Sequence, residues 1–175
     1  MYSIIIDIET LDTSPTSVIT EIGVLVFDRS TLLESASFST TPCVFHQLAA
    51  GRSTSPETIA FHQKNRSLPD RYSDFHPKDA SASLRRFIQQ YTPRRIWIQG
   101  PDFDRPIIEN FCNQLGDPLP WEFWRTRDTR TLWDLAMPGV KHSSRPHHAL
   151  PDCRATLADM HAAFSTLNLN PADVA

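Results

Sequence analysis

Apolar and polar residues follow two different periods along this chain, and the change of period marks its predicted elements. Residues 4–10 read Ile-Ile-Ile-Asp-Ile-Glu-Thr, which predicts a buried strand that ends in acidic side chains. Residues 19–28 are apolar on both faces and predict a second strand. Residues 32–40 alternate apolar with polar, as a strand with one wet face would. Consecutive strands of this kind predict an antiparallel meander.

Helical spacing takes over in the second half of the chain. Apolar residues at i, i+3, i+4 and i+7 in residues 84–91 predict an amphipathic helix. Residues 94–99 predict a buried strand, and residues 107–115 a helix that closes at a glycine. Residues 126–135 fit both a strand and a helical turn, and residues 149–167 predict a last helix. The predicted fold class is therefore α/β, with a mixed central sheet of three antiparallel strands plus parallel strands, flanked by helices.

Residues 41–77 fit neither period, because prolines and a glycine interrupt them repeatedly. One short helix is predicted there, with Ser55 as N-cap and Pro56 as its first residue. The remainder is predicted to be a long excursion over the surface. With no internal repeat and no linker, residues 1–175 are expected to form a single domain.

Composition restricts the class of protein further. With 175 residues, 40% of them hydrophobic, the chain is long enough for one full core and short for two. No stretch approaches the length of a membrane span and no signal peptide is recognised, so a soluble cytoplasmic protein is expected, in a bacterial cell or, for a phage protein, in its host. Three cysteines without a C-x-x-C pair suit a reducing compartment as buried small hydrophobes. A net charge of -3 argues against a uniformly basic protein that coats nucleic acid.

Asp7 and Glu9 are the first pair of residues that indicate chemistry. Successive side chains of a strand point to opposite faces, so these two carboxylates project together. Adjacent like charges repel each other unless a cation lies between them, and a divalent metal is the usual cation. Taken alone, such a pair occurs more often at a solvated strand end than in a metal site.

Further acidic residues occur where helices are predicted to begin. Asp104 follows the buried strand of residues 94–99, and it is either a helix N-cap or a ligand at the carboxyl end of that strand. If that strand lies parallel to the first, Asp104 comes next to the acidic pair. His147 and Asp152 lie about one turn apart at the start of the last helix. Histidine changes charge near neutral pH, as a general base that activates water must.

These segments resemble the three exonuclease motifs of the DEDD superfamily, in the branch whose base is histidine. The matching segments, in order, are Asp7-Ile8-Glu9-Thr10, Gly100-Pro101-Asp102-Phe103-Asp104 and His147-x-Ala149-x-x-Asp152. Other segments are similar to the small bacterial and phage 3'-5' exonucleases of the ribonuclease AS type. These are Gly51-Arg52, Pro56-Glu57-Thr58 and Arg127-Asp128-Thr129-Arg130-Thr131-Leu132.

The resemblance implies an RNase H-like fold and a metal-dependent 3'-5' exonuclease that releases nucleoside 5'-monophosphates by a two-metal mechanism. The implied ligands of two Mg²⁺ ions, which Mn²⁺ would replace, are Asp7, Glu9, Asp104 and Asp152, with His147 as the general base. The implied substrate contacts are Thr10, Leu11, Arg52, Phe61, Phe103 and Arg127. The implied partner is a single-stranded or frayed nucleic acid with a free 3' end. DNA and RNA both stay open, as do a monomer and a homodimer.

The sequence departs from the family pattern at some positions. Gln99 stands where many relatives have asparagine, and His62 stands where close relatives tend to have a second aromatic residue. His148 lacks the motif spacing of its neighbour and is expected to face solvent. Arg94 and Arg95 begin a predicted strand, at the end remote from the proposed metals, and are expected to be solvated.

Two other functions fit parts of the sequence. A nucleic-acid-binding module that had lost catalysis is expected to lack one of the acidic residues, and none is missing. A zinc protein would use histidines such as His142, His147 and His148, but their spacing matches no common zinc motif.

Overall fold

The computed structural model describes residues 1–65, 67–68 and 73–174, so residues 66 and 69–72 of the predicted excursion lie outside the described residues. Within the described residues, one sheet has the strand order β3-β2-β1-β4-β5. Its strands are β1 (Tyr2–Thr10), β2 (Ile19–Asp28), β3 (Glu34–Thr40), β4 (Ile96–Ile98) and β5 (Thr126–Asp128). The first three strands pair antiparallel, and β4 and β5 add in parallel beside β1. The predicted meander and the parallel strand next to β1 are confirmed.

Helices cover both faces of this sheet. They are α1 (Val44–Ala49), α2 (Pro56–Asn65), α3 (Pro77–Tyr91), α4 (Pro101–Gln114), α5 (Thr129–Ala136), α6 (Ala149–Thr166) and α7 (Pro171–Val174). The face that carries Ile4, Ile6 and Ile8 packs against α3 and α4. The opposite face, with Ile5 and Trp97, packs against α5 and α6. Because helices bury both faces, β1 and β2 are apolar on both sides.

The ambiguous pattern of residues 126–135 resolves as a strand followed by a helix, with the junction at Asp128. Its carboxylate accepts hydrogen bonds from the backbone N–H groups of Arg130 and Thr131, at 3.0 and 3.2 Å. An aspartate at an N-cap satisfies donors that the first helical turn leaves free. Both interpretations of this segment were therefore partly right.

The described part of the predicted excursion, residues 41–77, contains one helix more than the single short helix that was predicted. Two helices form there, and α2 begins at Pro56 with Ser55 as its cap, as predicted. Gln47 of α1 is buried and bonds the backbone of Ile19 twice, through its Oε1 at 2.9 Å and its Nε2 at 2.8 Å. The side-chain amide of Gln47 thereby pairs with the backbone of the first residue of β2. This contact fixes α1 against the sheet.

One expectation from composition is also met in the described residues. Cys43, Cys112 and Cys153 are free thiols and all three are buried. No helix of the described chain has both the length and the apolar character that crossing a bilayer requires.

Candidate active site

Acidic side chains from β1, α4 and α6 converge at the carboxyl end of β1. Asp7 and Glu9 lie on the strand, Asp104 lies in the first turn of α4, and Asp152 lies in the first turn of α6. All but the partly buried Asp7 are buried. This is the sheet edge at which the parallel strands β1 and β4 end, where open α/β sheets place their ligands.

Asp104 does not cap its helix, which corrects one of the two interpretations of this residue. The helix begins at Pro101 after Gly100, which has a φ of 83°, so Asp104 lies within the first turn. Its Oδ1 accepts a hydrogen bond of 3.2 Å from the backbone N–H of Ile8, between the two acidic residues of β1. This bond ties the start of α4 to the end of β1.

Gly23 lets the start of α6 approach the sheet at the same level. It pairs with Asp7 across the β1–β2 ladder. A Cβ atom at this position would lie 2.5 Å from both the carbonyl carbon of Ala149 and the nitrogen of Leu150. A glycine within a strand often marks such a close backbone approach. The missing side chain of residue 23 therefore allows α6 to bring Asp152 to the acidic pair.

Glu9, His147 and Asp152 form a group with the spacing of metal ligands, since one ligand atom from each lies within 4.8 Å of the others. His147 adopts a φ of 58°, a left-handed conformation that is uncommon for residues other than glycine. The ring of Phe61 lies edge-on to it, with centroids 4.9 Å apart. Within the described chain, Oδ1 of Asp152 is buried without a hydrogen-bond partner. A buried acceptor without a donor calls for an ion or water.

Burial and mutual repulsion raise the pKa values of these carboxyl groups. Burial first, and then the charges of Asp152, Glu21 and Asp104, raise the pKa of Glu9 to about 8. Burial and the neighbouring carboxylates likewise raise the pKa of Asp7 well above its usual range. A divalent cation reverses this balance, because it favours the ionised form of every carboxylate around it. Hard oxygen donors, the unpaired oxygen of Asp152 and the crowded negative charge therefore fit divalent metal ions.

The alternative zinc site of three histidines does not form. In the described part of the chain, the group formed by Glu9, His147 and Asp152 is the only one with metal-ligand spacing. His142 instead stacks on Trp133, with ring centroids 5.2 Å apart.

A cleft of about 350 Å³ opens beside Glu9. Three of the predicted substrate residues line it, namely Thr10, Phe61 and Phe103. The two aromatic rings are 45% and 36% exposed, so each offers a face to a ligand. The cleft joins this apolar surface directly to the acidic site.

The other three predicted substrate residues do not line this cleft. Leu11 is buried in a small apolar cluster. Arg52 is buried and donates from Nε to the carbonyl of Ser17 at 2.8 Å, so its contacts in the structure are internal ones. Arg127 lies on β5 and donates to two backbone carbonyls. The guanidinium of Arg130 lies beside Gly100, 3.3 Å from where a Cβ of that residue would be. Burial raises the pKa of Asp104 to about 7, and the charge of Arg130 acts in the opposite direction.

His62 is a buried residue of the site whose role the sequence did not reveal. Its Nε2 lies 2.8 Å from the carbonyl of Thr10 and its Nδ1 lies 2.8 Å from the hydroxyl of Ser67. A neutral ring that donates from Nε2 and accepts at Nδ1 satisfies both contacts. Nε2 also lies 3.9 Å from the Glu9 carboxylate. His62 therefore fixes the end of β1, and its departure from the aromatic pattern of relatives was the one available signal.

Glu21 is a fifth carboxylate at the edge of the site. It lies opposite Glu9 in the β1–β2 register, and it accepts a 3.0 Å hydrogen bond from the backbone N–H of Ala149. This contact caps α6 from the neighbouring strand. The ring of His148, which was expected to face solvent, is partly exposed and lies 3.3 Å from the same carboxylate. Nothing in the local sequence indicates this contact, because the partners are more than a hundred residues apart.

Arg145 is a largely buried cation two residues before His147. Its guanidinium donates to Gln99 Oε1 at 2.8 and 3.1 Å and to Asp159 at 2.8 Å. Its charge lowers the pKa of Asp152, against the larger opposite effect of burial. Gln99, where many relatives have asparagine, is thus a partner of Arg145. These bonds hold the segment that leads to His147.

Residues 2–164 match the family model described as the 3'-5' exoribonuclease Rv2179c-like domain. The chain belongs to this family. The match confirms the resemblance to the 3'-5' exonucleases that the sequence indicated. No curated protein matched the sequence.

Solved exonuclease structures share the fold of this family member. The zinc-bound complex of E. coli exonuclease I with single-stranded DNA has a TM-score of 0.68 at 16% identity, over 98% of this chain and 42% of that one. Exonuclease X in complex with 5' overhanging duplex DNA has a TM-score of 0.63 at 21% identity, over 97% of each chain. A 3'-exonuclease that recognises the 3' end of a histone mRNA stem-loop has a TM-score of 0.61 at 16% identity, over 93% of this chain and 63% of that one. This chain thus spans about two fifths of the length of exonuclease I, and the likeness confirms the RNase H-like fold.

Proposed function

We propose that this protein hydrolyses single-stranded RNA from its 3' end and releases nucleoside 5'-monophosphates. The observation that carries the proposal is the convergence of four carboxylates from three elements beside an aromatic cleft, with one buried carboxylate oxygen left without a partner. RNA is preferred to DNA because the family is described as exoribonuclease domains. The competing substrate, DNA, is one outcome of the test below.

Asp7, Glu9, Asp104 and Asp152 would hold two Mg²⁺ ions, and Mn²⁺ would replace them, since all four ligands are hard oxygens. When bound, such ions supply Lewis acidity at the phosphate and lower the pKa of a bound water. The carboxylates would bind these ions and hold them in place. The bond from Ile8 to Asp104 and the contacts of His62 with the end of β1 keep their positions fixed.

His147 would act as the general base and accept the proton of the attacking water at a ring nitrogen. The left-handed backbone at this residue and the edge-on contact with Phe61 fix the direction of the ring. Phe61 and Phe103 would stack on the terminal base, because aromatic rings bind every base through its π-face. Thr10 lines the same cleft next to Glu9.

The test is digestion of matched RNA and DNA oligonucleotides, each blocked at one end or the other, in Mg²⁺. We expect stepwise shortening of RNA with a free 3' end, and no shortening when that end is blocked. Digestion in excess EDTA, or from the 5' end, would contradict the proposal. Digestion of DNA at the rate of RNA would contradict the sugar preference alone.

Asp104→Asn is the decisive variant, with Asp102→Asn as its matched control. Both residues lie in the first turn of α4, but Asp104 is buried at the site and Asp102 is exposed. We expect Asp104→Asn to lower kcat by about 100-fold or more and Asp102→Asn to leave it within about 2-fold. If the wild type binds RNA but cleaves neither nucleic acid with Mg²⁺ or Mn²⁺, the protein is a binding module instead.

A further inference from the structure

Arginines and exposed aromatic rings form a strip that begins beside Asp104 and follows β5, the edge strand of the sheet. We name it the β5 strip, and its residues are Arg105, Phe123, Trp124, Arg127, Arg95 and Arg94. The sequence indicated only isolated pieces of it, and its arginine pair was expected to be merely solvated.

The strip starts at Arg105, the residue after Asp104. Its guanidinium carbon lies 5.8 Å from the ring centroid of Phe123, a distance at which a cation is attracted to a ring face. A terminal nitrogen of Arg105 contacts Glu109 at 3.2 Å. Its Nε is buried without a hydrogen-bond partner in the described residues. This cation therefore joins the acidic site to the aromatic part of the strip.

Phe123 and Trp124 are the aromatic part. Each ring is 61% exposed, and the two centroids lie 5.2 Å apart. Neither ring belongs to a buried cluster of the described chain. Adjacent exposed aromatic rings of this size mark a binding surface more often than a scattered apolar residue does.

Arg127, Arg95 and Arg94 continue the strip with concentrated positive charge. Arg127 is in register with Trp97 on β4, and Arg95 immediately precedes that strand. Burial, followed by the charges of Arg127, Arg94 and other arginines, lowers the pKa of Arg95. In the described structure, Arg127 and Arg95 donate to backbone carbonyls. Because a carbonyl has no net charge, these bonds do not neutralise the two guanidinium groups. The protein has a net charge of -3, whereas this surface is positively charged.

The strip extends from the active site farther than the contacts of one terminal nucleotide reach. The carbonyl of Arg95 accepts a hydrogen bond from the N–H of Ile4, so Arg95 lies about four residues before Asp7 along the sheet. At about 3.3 Å per residue this is about 13 Å, which is several times the reach of a single hydrogen bond. A substrate contact here is therefore separate from the cleft that seats the terminal nucleotide.

We propose that the β5 strip binds the part of a single-stranded RNA that lies 5' of the cleaved end; the inference rests on the proposed exonuclease function. Arginines bind successive phosphates, and Phe123 and Trp124 stack on bases that have not yet entered the cleft. This surface would hold long strands more tightly than dinucleotides, and its contribution would weaken as salt rises.

The test compares KM for a long RNA homopolymer with KM for a dinucleotide over a range of salt concentrations. For each phosphate contact on a single strand, the slope of log affinity against log salt is about 0.7. We expect Arg94→Gln/Arg95→Gln to lower the slope for the long strand by about 1.4, and to raise KM for that strand more than KM for the dinucleotide. We expect Trp124→Ala to raise KM for the long strand about 5- to 150-fold, and Trp124→Tyr to restore most of it.

The matched control is Lys78→Gln/Arg154→Gln, which removes the same charge from exposed positions. Arg154 pairs with Glu34 on β3, at the opposite edge of the sheet from β5. If both double variants lower the salt slope for the long strand equally, the effect comes from net charge alone, and the proposal is overturned. A change of oligomeric state in Trp124→Ala, measured by light scattering, would assign the rings to contacts between copies and also overturn it. If the wild type cleaves neither substrate, the proposed function fails; if it cleaves both and the strip variants behave like the control, only this inference fails.

Discussion

Replacing Glu9 by glutamine is predicted to stabilise the metal-free protein at neutral pH. Glutamine keeps the shape of the side chain and removes its ionisable group. Burial and the charges of Asp152, Glu21 and Asp104 raise the pKa of Glu9 from an ordinary 4.5 to about 8. The folded protein therefore keeps a proton that the unfolded chain has already released. Ionisation of Glu9 then favours the unfolded state, so stability falls as the pH rises from about 4.5 to about 8.

The size of the effect follows from the distance between the pH and the two pKa values. At pH 7 the unfolded carboxyl lies about 2.5 units above its pKa, and each unit is worth about 1.36 kcal/mol. Glu9→Gln should therefore stabilise the metal-free protein by about 3 kcal/mol, which raises Tm by about 6–12 °C in a protein of this size. Near pH 4 both states hold the proton and the difference vanishes. Saturation with Mg²⁺ at 100 times Kd stabilises the wild type by about 2.7 kcal/mol and should stabilise the variant less.

The assay is thermal unfolding followed by circular dichroism in EDTA from pH 4 to pH 8, repeated with Mg²⁺. The control is Glu109→Gln, whose carboxylate forms a partly exposed ion pair with Arg105 at 3.2 Å. Such a pair contributes little, so we expect a change within about 0.5 kcal/mol at every pH. A Glu9→Gln protein that melts at or below the wild-type temperature at pH 7 in EDTA would refute the reasoning. So would a stabilisation of equal size at pH 4 and pH 7.

Three further predictions concern residues that position the site. Gly23→Ala should destabilise the protein by about 1–3 kcal/mol and lower kcat, because its Cβ meets the backbone of α6 at 2.5 Å; unchanged urea unfolding and kcat would contradict this. His62→Ala should destabilise by about 1–3 kcal/mol through the loss of buried hydrogen bonds, whereas exposed His46→Ala should stay within about 0.5 kcal/mol in the same urea titration. Arg145→Met should cost up to about 3–5 kcal/mol because the buried Asp159 carboxylate then keeps only the ring of His142, at 3.4 Å, as a partner, and Arg145→Met/Asp159→Leu should recover most of it; an additive double variant would show that the pair is not coupled.

Much of the fold could be predicted because its signals are local. The run of residues 4–10 starts with consecutive isoleucines, as a strand buried on both faces does, and β1 buries its isoleucines on both faces. The strand-to-helix junction at Asp128 was ambiguous because three strand residues are too few to show a period. The helix α1 was missed because its buried Gln47 looks like a surface residue. Its partner is the backbone of Ile19, which lies 28 residues away and carries no sequence signal.

The predicted site residues divide in the same way. The structure brings together Asp7, Glu9, Asp104, His147 and Asp152, which could be proposed from the sequence because each stands in a short motif at the end of a strand or the start of a helix. The residues that hold them in place could not be named, because their partners lie on other elements. His62 acts through the carbonyl of Thr10, Glu21 through the N–H of Ala149 and Arg145 through Gln99 and Asp159.

The arginines show why charge alone does not identify a substrate contact. Arg52 and Arg127 were both expected at the substrate, yet Arg52 is buried where the carbonyl of Ser17 and two side-chain amides accept its hydrogen bonds. A guanidinium whose donors are satisfied inside the protein costs free energy to expose, so it is not available to a phosphate. Arg94 and Arg95 looked merely solvated, but charge crowding around Arg95 costs free energy that a bound polyanion would relieve. What separates the two roles is burial: Arg52 is buried, whereas Arg94 is exposed and Arg95 is partly exposed, and burial depends on which segments the fold brings together.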